Sequence, residues 1–144
     1  MKYTFTLAGD QPVKINIEVP SGTEEQVVLD VLVRNSGKTL MMDQIIAAAP
    51  GFGNHPEFEA HERRTTTRKM RQILRNLRDM GVPIVATVRG NKIAESTFEI
   101  MEFCEWLERK AKSDIASMLS VRKKFLRMAE SRQRSIFDKI KSSL

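Results

Sequence analysis

The chain has 144 residues, 41% of them hydrophobic and 29% charged, with 24 Lys and Arg against 18 Asp and Glu for a formal net charge of +6. That is the balance of a soluble protein with room for one cored domain, or for a small domain with an added module; with no run of about 18 apolar residues and no signal-like start, a cytoplasmic setting in a bacterial or host cell is expected, with no membrane partner. One cysteine, Cys104, and two histidines, His55 and His61, are too few for an internal disulfide or a tetrahedral metal site and stand in no nucleophile–base pattern, so neither a metal, a cofactor nor an enzymatic activity is expected.

From Lys2 to Val19 apolar and polar residues alternate on both sides of AGDQP, which predicts a β-hairpin occupying residues 1–20. Tyr3, Phe5 and Leu7 share one face of the first strand, and Val13, Ile15, Ile17 and Val19 one face of the second. A lone hairpin is marginal in water, so this apolar face is expected to rest on the helical part of the chain rather than on a second copy. Pro20 and Ser21 end the strand. Ser21 or Thr23 then caps a helix with Glu24 and Glu25 in its first turn and an apolar stripe of Val27, Val28, Val31 and Leu32, closed by Asn35 to Gly37. A second helix is predicted from about Thr39, with Leu40, Met41, Ile45 and Ile46 as its buried side and Pro50 and Gly51 as its stop. Gly51 to Ala60 reads as a loop, with His55, Glu57 and Glu59 as surface residues.

The stretch that follows carries the strongest signal. From Glu62 to Met80, Met70, Ile73, Leu74, Leu77 and Met80 recur at helical spacing while Arg68, Lys69, Arg71, Arg75 and Arg78 fill much of the remaining circumference. Gly81 ends this helix and Pro83 forbids its continuation. Val82 to Val88 then reads as a β-branched strand, Arg89 to Asn91 as a tight turn and Lys92 to Ser96 as a returning strand. Between Arg63 and Lys92 nine basic residues face one acid, Asp79, a net +8, whereas the first sixty-two residues carry −5 and the remainder +3. Positive charge gathered on one supersecondary unit is the footprint of a surface that meets a phosphate backbone. With one Trp and one Tyr in the chain, the aromatic platforms used for single strands are poorly supplied.

Ser96 or Thr97 with Glu99 starts a last helix, and neither Gly nor Pro interrupts Phe98 to Phe137. Its apolar residues fall three and four apart, too irregularly for a clean heptad. A break near Ser113 or Ser120 would let it fold back onto the core, and an unbroken helix would pair with another copy; the second is favoured, as is a packing role for Cys104.

The segment TRKMRQILRNLRDMGVPIVATVRGNKIAES resembles the helix-plus-wing part of winged helix-turn-helix regulators, in the version found at the amino end of biotin ligase repressors and in small phage-encoded DNA-binding proteins. Leu77, Arg78, Gly81, Val82, Pro83, Ile84 and Gly90 carry the likeness. The expected fold is α+β, mainly α: an N-terminal β-hairpin (1–20), a winged helix-turn-helix domain (21–96) and a long C-terminal helix (97–144) through which a homodimer forms. What the resemblance implies is binding of double-stranded DNA, without choosing between transcription, replication and packaging; a sequence-specific transcriptional regulator is the role expected here. Thr65, Thr66, Thr67, Arg68, Lys69, Arg71, Gln72 and Arg75 would face the major groove, Arg63 and Arg64 would hold phosphates, and Arg89, Asn91 and Lys92 on the wing would grip backbone or a neighbouring minor groove. The alternative is an adaptor in replication or transcription whose winged domain and long helix bind a protein partner.

Overall fold

A computed structural model of the chain describes residues 1–52 and 60–143. His55, Glu57, Glu59 and most of the loop from Gly51 to Ala60 lie outside the described residues, as does the side chain of His61. The protein is α+β and mainly helical. Its elements run β1 (Lys2–Leu7), β2 (Val13–Glu18), α1 (Glu24–Arg34), α2 (Met42–Ala48), α3 (Ala60–Asp79), β3 (Ile84–Thr87), β4 (Gly90–Ile93) and α4 (Thr97–Ser143). They divide into two compact units, Met1–Phe103 and Cys104–Leu144. No helix among the described residues is long and apolar enough to cross a membrane.

The β1–β2 hairpin is antiparallel, with Tyr3 opposite Ile17, Phe5 opposite Ile15 and Leu7 opposite Val13. The alternation read from the sequence sends Phe5, Leu7, Ile17 and Val19 into buried positions. Phe5, Ile17 and Val19 join the core formed by Val28, Leu29, Val31 and Leu32 of α1, Ile45 and Ile46 of α2, and Met70, Ile73, Leu74 and Leu77 of α3. The hairpin therefore belongs to the Met1–Phe103 unit. Val13, at the turn end, is the exception and stays exposed.

Tyr3 sits at the edge of this contact and donates a hydrogen bond to Asp30 Oδ1 of α1 (2.5 Å). Burial, and then the hydrogen bond to Asp30 and its negative charge, push the phenol pKa up from 10.0 to about 12. Because the folded value lies above the unfolded one, the stability this phenol contributes is complete below pH 10 and is lost as the pH rises through about 12. Tyr3 is the chain's one tyrosine, so the tyrosinate absorbance of the folded protein should titrate with a midpoint near 12. A midpoint near the ordinary value would mean that the phenol stands free of Asp30.

The α1 helix starts where the sequence places its cap, Thr23 Oγ1 accepting from the Gln26 amide (3.3 Å), and it closes at Asn35. The second helix begins later than its apolar residues suggest. Leu40 is not helical: its amide donates to the Asn91 carbonyl and its carbonyl accepts from the Asn91 amide, both at 2.8 Å. That single-residue antiparallel bridge adds a third element beside β4. Met41, expected on the buried side, is 59% exposed at the start of α2, where Gln44 Oε1 accepts from its amide (2.8 Å).

The second hairpin is also displaced from its sequence reading. Its strands are Ile84–Thr87 and Gly90–Ile93, with Thr87 opposite Gly90, so Val88 and Arg89 form the turn. Gly90, read as the turn glycine, instead opens the second strand beside Leu40. Last, α4 runs without a break at Ser113 or Ser120. Cys104 is exposed, so it does not pack within the core of its own chain.

Candidate nucleic-acid interface

The orientation of α3 is fixed on three sides. Met70, Ile73, Leu74 and Leu77, spaced i, i+3, i+4, i+7, are at most 4% exposed and pin one face to the core. On one flank lies α1, with Asn76 Nδ2 donating to Glu25 Oε1 (3.1 Å) and Lys69 Nζ paired with Glu24 (3.0 Å). On the other lies the β3–β4 hairpin, reached by Arg78, whose Nε donates to the Ile84 carbonyl (3.1 Å) and whose Nη2 donates to Asn91 Oδ1 (2.9 Å).

With the helix so clamped, the remaining side chains have set directions. Arg64, Arg68, Arg71 and Arg75 follow one another at i, i+4, i+7 and i+11, which on a helix of 3.6 residues per turn is a single stripe. The stripe leads on to Arg78 at i+14, so it lies between the hairpin flank and the outward face and extends over about 16 Å of axis. All four arginines are exposed, and among the described residues none has an acidic or hydrogen-bonding partner. Arg89, likewise exposed and with no such partner for its guanidinium among the described residues, occupies the hairpin turn beside Val88, whose side chain is fully exposed.

The other residues expected to touch DNA are sorted by the same geometry. Thr65 and Gln72 face outward on the side of the stripe nearer α1, and Gln72 Nε2 is engaged with Asn76 Oδ1 (2.8 Å). Lys69 lies on the α1 flank, held by Glu24 and placed over the Phe52 ring at 5.6 Å. Thr66 and Thr67 are half-buried, the Thr66 hydroxyl donating to the Glu62 carbonyl one turn back (2.9 Å). Arg63 is exposed but leaves the helix on the side of Met70 and Leu74, away from the stripe.

Two residues of the β3–β4 hairpin do not belong to the exposed set. Asn91 is 9% exposed; both its backbone groups serve the Leu40 bridge and its carboxamide oxygen accepts from Arg78. Lys92 is half-buried and paired with Glu99 of α4 at 2.7 Å. The register is responsible: with the turn at Val88–Arg89, positions 91 and 92 lie inside the ladder rather than at its tip.

Arg78, one of the nine cations of the basic stretch, is structural. It is half-buried, its guanidinium stacks over the Phe103 ring at 5.3 Å, and burial pushes its pKa below the ordinary value. Arg78→Ala leaves the carboxamide of buried Asn91 without its partner, so it should cost about 1–3 kcal/mol in urea unfolding. Arg78→Lys should not restore the loss, because an ammonium cannot serve two acceptors in the plane of a guanidinium fork. Full rescue by lysine would show that only the charge matters.

No protein-family model, curated protein or solved structure matches the chain. The arrangement itself offers six exposed arginines (63, 64, 68, 71, 75 and 89) on one helix and the hairpin behind it. Chemically it can grip an extended polyanion and present planar, two-pronged donors to it.

Proposed function

We propose that the Met1–Phe103 unit is a winged helix-turn-helix and that the chain binds double-stranded DNA through it, as a sequence-specific transcriptional regulator. The observation that carries the reading is the stripe of Arg64, Arg68, Arg71 and Arg75, exposed and unpaired among the described residues and aimed to the same side as the hairpin. The order α1, bridge residue Leu40, α2, α3, β3, β4, with Leu40 laid against β4, supports the winged assignment. In such a unit the third helix enters the major groove, where Arg68, Arg71 and Arg75 read guanine edges or hold phosphates and Arg64 holds phosphate. Arg89 at the hairpin turn meets the backbone or the adjacent minor groove. The long α4 joins two copies into a homodimer, so that the bound site repeats at one helical turn or a multiple of it.

Titration with random and selected duplexes at two salt concentrations tests this. If about five arginines neutralise phosphates, log K should fall against log salt with a slope of about −4 to −5, and selection from a random pool should return a two-fold repeat. An adaptor that binds only protein shows weak duplex affinity and no steep slope.

A further inference from the structure

From Cys104 to Ser143 the α4 helix buries no side chain, yet its apolar residues keep a strict order. Cys104, Ile115, Leu126 and Phe137 recur every eleven residues. Leu107, Met118, Ala129 and Ile140 form a second rank three residues further on with the same period. Ala111, Arg122 and Gln133 complete the repeat, the last two being its polar interruptions. Eleven residues make three turns at about 3.67 residues each, close to the natural helical pitch, so the stripe runs nearly parallel to the axis where a seven-residue repeat would wind around it. Beside it Val121, Phe125, Met128 and Ile136, 58–70% exposed, widen the apolar face in the second half. A standard interface takes about 800 Å² from each partner. Eleven large apolar side chains between Leu107 and Ile140, each 43–70% exposed, supply an area of that order.

The occupant follows from charge. Residues 104–121 carry three basic and three acidic groups, net zero, whereas residues 122–143 carry eight basic and two acidic, net +6. An acidic partner would answer only the second half. A second copy side by side in the same direction sets +6 against +6 over the same length, which is repulsive at every turn. Run in the opposite direction, each basic half lies along the neutral half of its partner, near Glu105, Glu108 and Asp114, while the eleven-residue stripe stays continuous. We infer that two copies of this chain pair through Cys104–Ser143 in antiparallel fashion, along the eleven-residue stripe. This deepens the homodimer part of the function proposed above and is independent of whether the arginine stripe binds DNA.

The one native cysteine supplies the test, because Cys104 is exposed at one end of the stripe. The full-length chain is spin-labelled at Cys104 and the distance between the two labels is measured, with sedimentation of the unlabelled protein alongside. An antiparallel pair holds the labels on the order of 50 Å apart, at about 1.5 Å of rise per residue. A parallel pair brings them within about 20 Å, since packed helices lie ~10 Å apart, and also allows a ready Cys104–Cys104 disulfide. The long distance with a dimeric mass is the expected result; the short distance, the disulfide or a monomeric mass overturns the inference. Leu126→Glu, placed mid-stripe, should shift the dissociation constant of the dimer at least tenfold while leaving unfolding of the Met1–Phe103 unit unchanged. An unaltered dimer in that variant also overturns it. A monomeric chain that still binds duplex with a steep salt slope would fail this inference and leave the DNA reading standing.

Discussion

Replacing Gly90 with alanine should destabilise the Met1–Phe103 unit by ~3 kcal/mol or more. Two costs coincide at that position. Gly90 has φ +131, a backbone region that side-chain-bearing residues scarcely enter, and a Cβ built there meets the Leu40 carbonyl carbon at 2.5 Å, with the Leu40 oxygen and the Met41 nitrogen inside ordinary contact distance as well. What it meets is backbone, which cannot swing aside as a flexible side chain can. Relief requires separating residue 40 from β4, and with it the two Leu40–Asn91 hydrogen bonds. The control is Gly22→Ala, where φ is +78 but nothing lies within 4 Å of the added carbon, so only the conformational cost of about 1–2 kcal/mol applies. Urea midpoints of the two variants separate crowding from backbone strain. Equal losses would mean that residue 40 does not lie against Gly90 as described.

That contact also shows where the sequence was legible and where it was not. Elements with a long, regular pattern were readable: the alternation of Phe5, Leu7, Ile17 and Val19, the cap at Thr23, and the i, i+3, i+4, i+7 spacing of Met70, Ile73, Leu74 and Leu77 each state which face is buried. A bridge one residue long has no period. Leu40, buried just before a short helix and next to Met41 and Met42, looked like part of that helix, because a single apolar residue at a helix start is equally consistent with either. The same ambiguity moved the hairpin turn. A glycine between two polar residues is ordinarily the turn itself, but here it is spent on close approach, and positions 91 and 92 moved from the tip to the ladder with it. Within the basic stretch, composition alone could not separate Arg78 and Lys69, held by Asn91, Ile84 and Glu24, from Arg68 and Arg71, which have no such partners among the described residues. A helical projection could have separated part of this set, since Arg64, Arg68, Arg71 and Arg75 share one azimuth in the sequence itself. Partners 45 or more residues away, such as Glu24 for Lys69, have no local trace.

Removing the stripe should abolish duplex binding without unfolding the protein. Arg68→Ala and Arg71→Ala are each expected to weaken binding to a selected duplex by ~1–3 kcal/mol, and the fourfold change of Arg64, Arg68, Arg71 and Arg75 to alanine by at least three orders of magnitude, with the salt slope reduced by about 3 to 4. Stability should stay within about 0.5 kcal/mol of the parent for each single change, because these side chains are exposed and make no contact that the fold depends on. Arg89→Ala should weaken selected and random duplexes alike, as a backbone contact does. The decisive comparison is Lys69→Ala. In sequence Lys69 is indistinguishable from its neighbours, yet it lies on the α1 flank against Glu24 and Phe52, so its removal should change duplex affinity far less than that of Arg68 one residue before it. Similar losses at 68 and 69 would mean that the helix binds through its total charge and has no reading face. A large loss at Arg68 and Arg71 with little at Lys69 requires one side of α3 to meet the duplex, the side to which the core, α1 and the hairpin together turn the four arginines.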